Sequence, residues 1–360
     1  MKNYGLFIGG KWVSPDSKAR FISLDPAAKK PIASFPSANQ KDVFSAVAAA
    51  KAAFPRWSAT PAPKRGEILL EFARLLRKNK GKLSRLLTLE MGKVLVEAHG
   101  DVQEAIDIAE YMAGEGRRLF GHTTPSELPS KVAFTVRAPI GVCALITPWN
   151  FPVAIPAWKM MPALVCGNTV VFKPSSDAPN CAGRFVELLH EAGIPPGVVN
   201  MVTGSGETAG ALLVQHPDVR AVSFTGNRET GEWIARNAGL KKIGLELGGK
   251  NPIIIMDDAD LNLALEGVLW GAFGTTGQRC TAASRVIVHE KVFGAFEKML
   301  VASAKKLRLG KGTNPSTDVG PLINQRALEK TQAYVSVGVK EGARLLCGGK
   351  PSSHEGFFFE

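Results

Sequence analysis

Cys280 stands in the run Gly277-Gln278-Arg279-Cys280-Thr281, with a glycine that permits a tight turn, a cationic neighbour before it and small residues after it. A thiol of pKa about 8.5 is only slightly ionised at neutral pH, so a nucleophilic cysteine needs such a cationic, partly exposed setting. The same local sequence fits a buried structural cysteine. Glu246 lies between Leu245 and Leu247, at the end of an apolar run and directly before Gly248-Gly249. A carboxylate desolvated among aliphatic side chains rises toward the pKa of a useful general base, whereas one turned to solvent at a strand end does not. In Thr147-Pro148-Trp149-Asn150-Phe151-Pro152, two prolines of fixed φ flank an uncharged amide. Asn150 is therefore a candidate preorganised donor to a developing oxyanion, with the cap of a rigid turn as the alternative.

Two glycine turns follow apolar runs, at Val202-Thr203-Gly204-Ser205-Gly206 and at Phe224-Thr225-Gly226-Asn227-Arg228-Glu229-Thr230-Gly231. Each lets backbone N–H groups at a helix start approach a phosphate, but neither has the spacing of a dinucleotide fingerprint. Cys143, Cys166 and Cys181 sit among apolar neighbours and read as buried structural thiols. With Cys280 and Cys347 the cysteines number 5, widely spaced and without a C-x-x-C pair, which fits free thiols in a reducing compartment. No histidine pair has helical metal-ligand spacing, so no metal site is expected.

These groups need a scaffold, and 360 residues suffice for about two domains. A composition 45% hydrophobic and 21% charged excludes a mainly disordered chain or a polytopic membrane protein. The charge-free run 138–158 contains Pro139, Pro148, Pro152 and Pro156, which forbid one spanning helix. The amino-terminal stretch lacks a secretory pattern, so a cytoplasmic location is expected. Net charge is +12, and the sharpest basic cluster includes Arg74, Arg77, Lys78, Lys80, Lys82 and Arg85. Interleaved leucines make this the solvated face of an amphipathic helix, and without stacking aromatics no nucleic-acid partner is expected.

A strand and turn over 6–13 and helices at 41–54, 62–78, 81–91 and 94–119 form a helix-rich opening. From 142 onward, apolar runs at 142–146, 169–172, 198–202, 219–224 and 243–247 alternate with helical segments at 155–166, 180–192, 207–215 and 229–238. That alternation predicts an α/β fold with a parallel sheet buried on both faces, whose ligand lies beyond the strands' C-terminal ends. A second unit follows 248–249, with strands at 252–256 and 285–289 and helices at 260–273 and 291–307. The alternating segment 131–137 stands apart from this series as an arm toward a partner. The chain closes on an apolar, strand-like run, Gly356-Phe357-Phe358-Phe359.

Taken in order and spacing, Ile146-Thr147-Pro148-Trp149-Asn150-Phe151-Pro152, Phe224-Thr225-Gly226, Leu245-Glu246-Leu247-Gly248-Gly249-Lys250-Asn251-Pro252 and Gly277-Gln278-Arg279-Cys280 resemble the aldehyde dehydrogenase superfamily. The similarity extends from Ile8-Gly9-Gly10-Lys11-Trp12 through Leu89-Glu90-Met91-Gly92-Lys93 to Gly320-Pro321-Leu322-Ile323. The resemblance implies oxidation of an aldehyde to a carboxylate with NAD or NADP. A thiolate at Cys280 attacks the carbonyl, and Asn150 with the cysteine N–H holds the oxyanion. Glu246 activates the water that hydrolyses the thioester, and Lys159 assists the proton relay. The matching cofactor positions are Ile146, Thr147, Pro148, Trp149, Lys173, Ser176, Gly206, Gly226, Asn227, Gly231 and Leu247. The implied architecture is a Rossmann-like cofactor domain over 1–120 and 140–247, an oligomerisation arm over 121–139, and an α/β catalytic domain over 248–360, incomplete at its C-terminus.

Two departures from the family pattern carry expectations. Ser176 stands where members usually have a glutamate gripping the adenosine ribose, so loss of that charge favours NADP slightly over NAD. The chain also stops about a quarter short of the usual length. A homo-oligomer, dimer or tetramer, is expected of a full-length form, and a poor enzyme of the short one. The alternative to an enzyme is a truncated, non-catalytic dinucleotide-binding or interaction protein. The expected substrate is an ω-semialdehyde acid, because Arg279 precedes the nucleophile and Arg117-Arg118 lie in a stretch similar to one in semialdehyde dehydrogenases. Guanidinium groups there can anchor a distal carboxylate, with structural ion pairs as the alternative.

Overall fold

The computed structural model describes residues 2–360. Short strands β1 (Lys2–Asn3), β2 (Leu6–Ile8), β3 (Lys11–Val13), β4 (Arg20–Asp25) and β5 (Lys30–Pro36) open it. Helices α1 (Gln40–Ala59), α2 (Ala62–Met91) and α3 (Leu95–Glu115) follow, then the hairpin β6 (Thr123–Pro125) and β7 (Val132–Phe134). The alternating series is β8 (Val142–Ile146), α4 (Ala154–Val165), β9 (Thr169–Lys173), α5 (Pro179–Glu191), β10 (Val199–Met201), α6 (Ala211–Gln215), β11 (Val219–Gly226), α7 (Arg228–Asn237) and β12 (Lys242–Leu247). After it come β13 (Asn251–Ile255), α8 (Leu261–Phe273), β14 (Ala283–Val288), α9 (Glu290–Ala304) and α10 (Gln325–Lys340).

The main sheet has the order β12-β11-β8-β9-β10-β2-β3. Strands β8 to β12 are mutually parallel, and the β2–β3 hairpin adds to β10 antiparallel. Every residue of β8 and β9 is buried, as expected of central parallel strands covered by helices on both faces. Chain order runs outward from β8 through β9 and β10, then returns to place β11 on the other side. The switch point is therefore at the C-terminal ends of β8 and β11, where an open α/β sheet receives its ligand.

Several boundaries differ from the sequence expectation. The helices expected at 62–78 and 81–91 are one helix, α2, because Gly81 costs only about 1 kcal/mol while Leu75, Leu76, Leu83 and Leu87 keep one buried face across it. The helix expected at 94–119 ends at Glu115, and that expected at 291–307 ends at Ala304. The segment before α6 is a π turn, Gly206–Gly210, instead of α-helix. Strands β4 and β5, which form a sheet with β1, and helix α10 had no counterpart in the sequence reading.

The basic cluster of α2 faces solvent, with Arg74 paired to Glu71 and Arg77 to Glu110, whereas Arg65 near the start of the helix is buried and donates to the Val165 carbonyl at 2.9 Å. The β6–β7 hairpin occupies the arm segment and is exposed along both strands. The second unit has a thin core of Ile255, Val268 and Phe296 against the parallel pair β13–β14, and α10 buries no residue. The closing aromatic run is no strand but folds back, with the Phe357 N–H on the Pro26 carbonyl and Phe358 buried. Among the described residues, no helix is long and apolar enough to cross a membrane.

Candidate active site

Ile146 ends β8 in register with Lys173 of β9 and Phe224 of β11, so the turn after β8 starts at the switch point. Its backbone is held where it begins by the Thr147 N–H on the Lys173 carbonyl at 3.2 Å. A wholly buried ion pair clamps its far end. Lys93 Nζ lies 3.0 Å from Asp101 Oδ2 and 3.7 Å from the centroid of the Phe151 ring. Asp101 Oδ1 accepts from the Ala154 N–H at 2.7 Å, at the start of α4. Both charged residues come from the helix-rich opening, and the sequence reading gave neither a role. Between the clamps, Asn150 donates from Nδ2 to the Gln278 carbonyl at 2.9 Å.

That carbonyl belongs to the thiol turn, two residues before Cys280. Gln278 ties the turn down further: its amide donates to the Pro321 carbonyl at 3.4 Å, and its Oε1 accepts from the Ile323 N–H at 3.0 Å. Asn251 Nδ2 donates to the Cys280 carbonyl at 2.7 Å. Cys280 itself is exposed, while Cys143 and Cys181 are buried. Burial pushes the Cys143 thiol up to about 12 and the Cys181 thiol well above its ordinary range, so neither ionises at neutral pH.

Lys159, on α4, donates to Ser223 Oγ at 2.9 Å. Burial lowers its pKa from 10.5 to about 8, and the nearby Glu246 charge opposes that shift. Lys159, Ser223 and Glu246 thus converge, the serine having carried no signal of its own in the sequence. Of the two readings of Glu246, the structure agrees with the solvent-facing one: Leu245 and Leu247 are half-buried, and alternation along β12 turns Glu246 outward, where it is exposed.

Lys173 is buried at the end of β9, its Nζ donating to the Pro174 carbonyl at 2.9 Å and the Gly204 carbonyl at 3.0 Å. Burial lowers its pKa to about 8, against the pull of Asp177. Ser176 Oγ donates to the same Gly204 carbonyl at 3.0 Å. Gly206 follows, with no atom within 4 Å of the side chain it lacks. Asn227 caps α7 by accepting from the Thr230 N–H at 2.7 Å. Gly231 has a packing reason: a Cβ there would lie 2.7 Å from the Leu247 side chain. Beside these, the buried Thr147 Oγ1 and Asn150 Oδ1 have no hydrogen-bond partner. Unpartnered polar atoms, an exposed glycine turn and a buried cation around a switch point fit a phosphate-bearing dinucleotide.

The three arginines are not brought together. The Arg279 guanidinium stacks 4.0 Å from the Trp270 ring and donates to the Trp270 and Gly271 carbonyls, turned back onto α8. Arg118 is exposed and paired with Glu115, and Arg117 is exposed beside it.

The family model of the aldehyde dehydrogenase family matches residues 12–360. The chain belongs to the aldehyde dehydrogenase family. As a family member it is an oxidoreductase acting on aldehydes with NAD(P), and its fold is that of solved aldehyde dehydrogenases. It is 43% identical to an alpha-ketoglutarate semialdehyde dehydrogenase of Haloferax volcanii, covering 97% of this chain and 72% of that protein. A betaine aldehyde dehydrogenase of Bacillus subtilis is 40% identical, with 99% of this chain and 74% of that one covered. Among solved structures, an E. coli NADP dependent enzyme superposes with a TM-score of 0.97 at 38% identity, over 99% of this chain and 75% of that one. This aldehyde dehydrogenase therefore spans about three quarters of the length of such relatives.

Proposed function

We propose that this aldehyde dehydrogenase oxidises an ω-semialdehyde acid to its dicarboxylate, with Cys280 as nucleophile and NADP accepted at least as well as NAD. The observation that carries the reading is the hydrogen bond from Asn150 to the Gln278 carbonyl, which ties the amide at the switch point to the thiol turn. The dinucleotide, when bound, accepts a hydride. Ile146, Thr147, Pro148, Trp149, Lys173, Ser176, Gly206, Gly226, Asn227 and Leu247 would hold it. The Cys280 thiolate adds to the aldehyde carbon, and the second N–H of Asn150 with the Cys280 N–H takes up the charge on oxygen. Glu246, exposed and near Lys159, removes a proton from the water that opens the resulting thioester. Lys159 and Ser223 give that proton a route away. Neither the site nor the relatives favour the non-catalytic alternative. The exposed β6–β7 hairpin, with Val132 and Phe134 open to solvent, is the arm through which copies of a full-length form would associate as a dimer or tetramer.

The semialdehyde assignment rests on the Haloferax volcanii relative's named substrate and on the candidate carboxylate anchors Arg279, beside Cys280 in the chain, and Arg117-Arg118. Arg279 would have to leave the Trp270 stack to serve, whereas Arg118 need only leave a solvent-screened pair with Glu115. The test is reduction of NADP with an acid semialdehyde and with a neutral aldehyde of equal length. Arg118→Leu should raise KM for the acid several-fold and leave the neutral substrate unchanged. Equal changes for both would remove the carboxylate anchor.

Ser176→Glu should shift cofactor preference toward NAD, since a carboxylate in that position repels a 2′-phosphate and accepts from ribose hydroxyls. Titration of both dinucleotides checks it. A strong NAD preference in the parent, unmoved by the substitution, would refute the assignment.

The buried lysine gives a pH signature. Lys173 titrates near 10.5 when exposed and at about 8 here, so between these values the unfolded chain binds a proton that the folded chain has released. Stability should therefore rise with pH across that window and be lost as pH falls through about 8. Denaturation midpoints measured from pH 7.5 to 10 should climb more steeply in the parent than in Lys173→Met. Parallel curves would show that the ammonium is not desolvated.

A further inference from the structure

The turn that carries Cys280 begins with an unusual backbone. Thr275 and Thr276 lie at φ 53° and 58°, the left-handed region, where a β-branched residue is an outlier held only by its surroundings. What holds Thr275 comes from the opposite part of the chain. Glu97, in the first turn of α3, accepts the Thr275 N–H on Oε1 at 2.8 Å and the Thr275 hydroxyl on Oε2 at 3.3 Å. Thr275 is buried and Glu97 half-buried, so the carboxylate closes over the kink. Thr276 is held separately, its hydroxyl donating to the Gly320 carbonyl at 3.0 Å.

The kink leads straight to the reacting groups. The Thr275 carbonyl accepts the Gln278 N–H at 3.0 Å, and the Gln278 carbonyl accepts from Asn150 Nδ2 at 2.9 Å. Glu97, Thr275, Gln278 and Asn150 are therefore one continuous hydrogen-bonded line, with Cys280 two residues beyond Gln278. Relaxing the two threonines toward ordinary backbone would move the Gln278 carbonyl and with it the approach of amide to thiol.

We propose that Glu97 is a positioning residue for the nucleophile: its carboxylate fixes Thr275 in left-handed backbone and so sets where Cys280 stands relative to Asn150. This rests on the reading of Cys280 as nucleophile and Asn150 as oxyanion donor. Glu97 touches neither substrate nor cofactor in this role. A brace between α3 and the thiol turn with no consequence for chemistry is the competing account.

The experiment measures two quantities on the full chain: steady-state aldehyde oxidation, and the rate of iodoacetamide labelling of Cys280 read by mass spectrometry. Glu97→Ala should lower kcat at least tenfold with KM for the dinucleotide within twofold, and change the labelling rate at least threefold. Glu97→Gln keeps an acceptor for the Thr275 N–H and should recover most of both. Glu97→Ala with Thr275→Gly should also recover, because glycine takes the same backbone without strain; a mere brace would not be replaced by removing a side chain. Labelling unchanged in Glu97→Ala overturns the proposal, as does a change that neither partner variant restores. Activity surviving in Cys280→Ala would instead overturn the reading of the nucleophile, while the labelling comparison would still decide the role of Glu97.

Discussion

Cys280→Ala should abolish aldehyde oxidation while leaving dinucleotide affinity within about twofold. The thiol is the covalent partner of the substrate in the proposed reaction, so its removal deletes the pathway instead of slowing one step. The proposed phosphate turns at Gly206 and Gly226 and the Lys173–Ser176 cluster lie at or just beyond the ends of main-sheet strands, and among the described residues no hydrogen bond joins them to the thiol. Glu246→Gln should fail differently. Its amide cannot take a proton from water, yet Cys280 and Asn150 remain, so the first half of the reaction should proceed and stop at the thioester. Mass spectrometry of the Glu246→Gln protein after mixing with aldehyde and NADP should show one acyl group on Cys280, with a burst of NADPH of about one equivalent per site. No acyl group, or steady turnover in either variant, would contradict this division of labour.

The sequence carried the chemistry further than it carried the geometry around it. The parallel series from β8 to β12 was legible because its apolar runs are short, β-branched and separated by amphipathic helices. Cys280, Glu246 and Asn150 were each ambiguous on local sequence and stood out only together, through the order and spacing of motifs that resemble the aldehyde dehydrogenase superfamily. The environment of Glu246 was not legible: two flanking leucines suggest desolvation, but period-two alternation places them on the other face of the strand. Arg279 adjoins Cys280 in sequence, yet the tight turn points its side chain back to Trp270. Neighbours along a turn diverge in space. The groups that position the site escaped for a complementary reason: Glu97 and Asp101 are distant in sequence from Thr275 and Ala154, and a lone carboxylate on an amphipathic helix has no local sign of a partner across the fold. Helix α10 escaped because it buries nothing.

Asp101→Ala should be among the most destabilising single substitutions in this protein, lowering unfolding free energy by about 3–5 kcal/mol. Both side chains of the Lys93–Asp101 pair have 0% exposure, so removing the carboxylate leaves an ammonium without solvent or counter-ion. Burial pushes the Asp101 carboxyl up and the Lys93 charge pulls it down, the sign of a pair whose desolvation offsets much of its attraction. The cost of halving the pair should therefore exceed the benefit of having it. Replacing both residues together, Lys93→Met with Asp101→Leu, should recover much of the loss, as buried pairs exchanged for apolar groups often do. It should not recover everything, because the Ala154 N–H loses the acceptor it has at 2.7 Å and Phe151 loses the cation above its ring. Those two contacts fix the far end of the Asn150 turn, so the double variant should regain its denaturation midpoint more completely than its kcat. Guanidinium titrations of the parent, both single variants and the double variant close the cycle. A single variant within 1 kcal/mol of the parent would show that water reaches the pair, and full recovery of kcat in the double variant would show that the Asn150 turn holds its geometry without it.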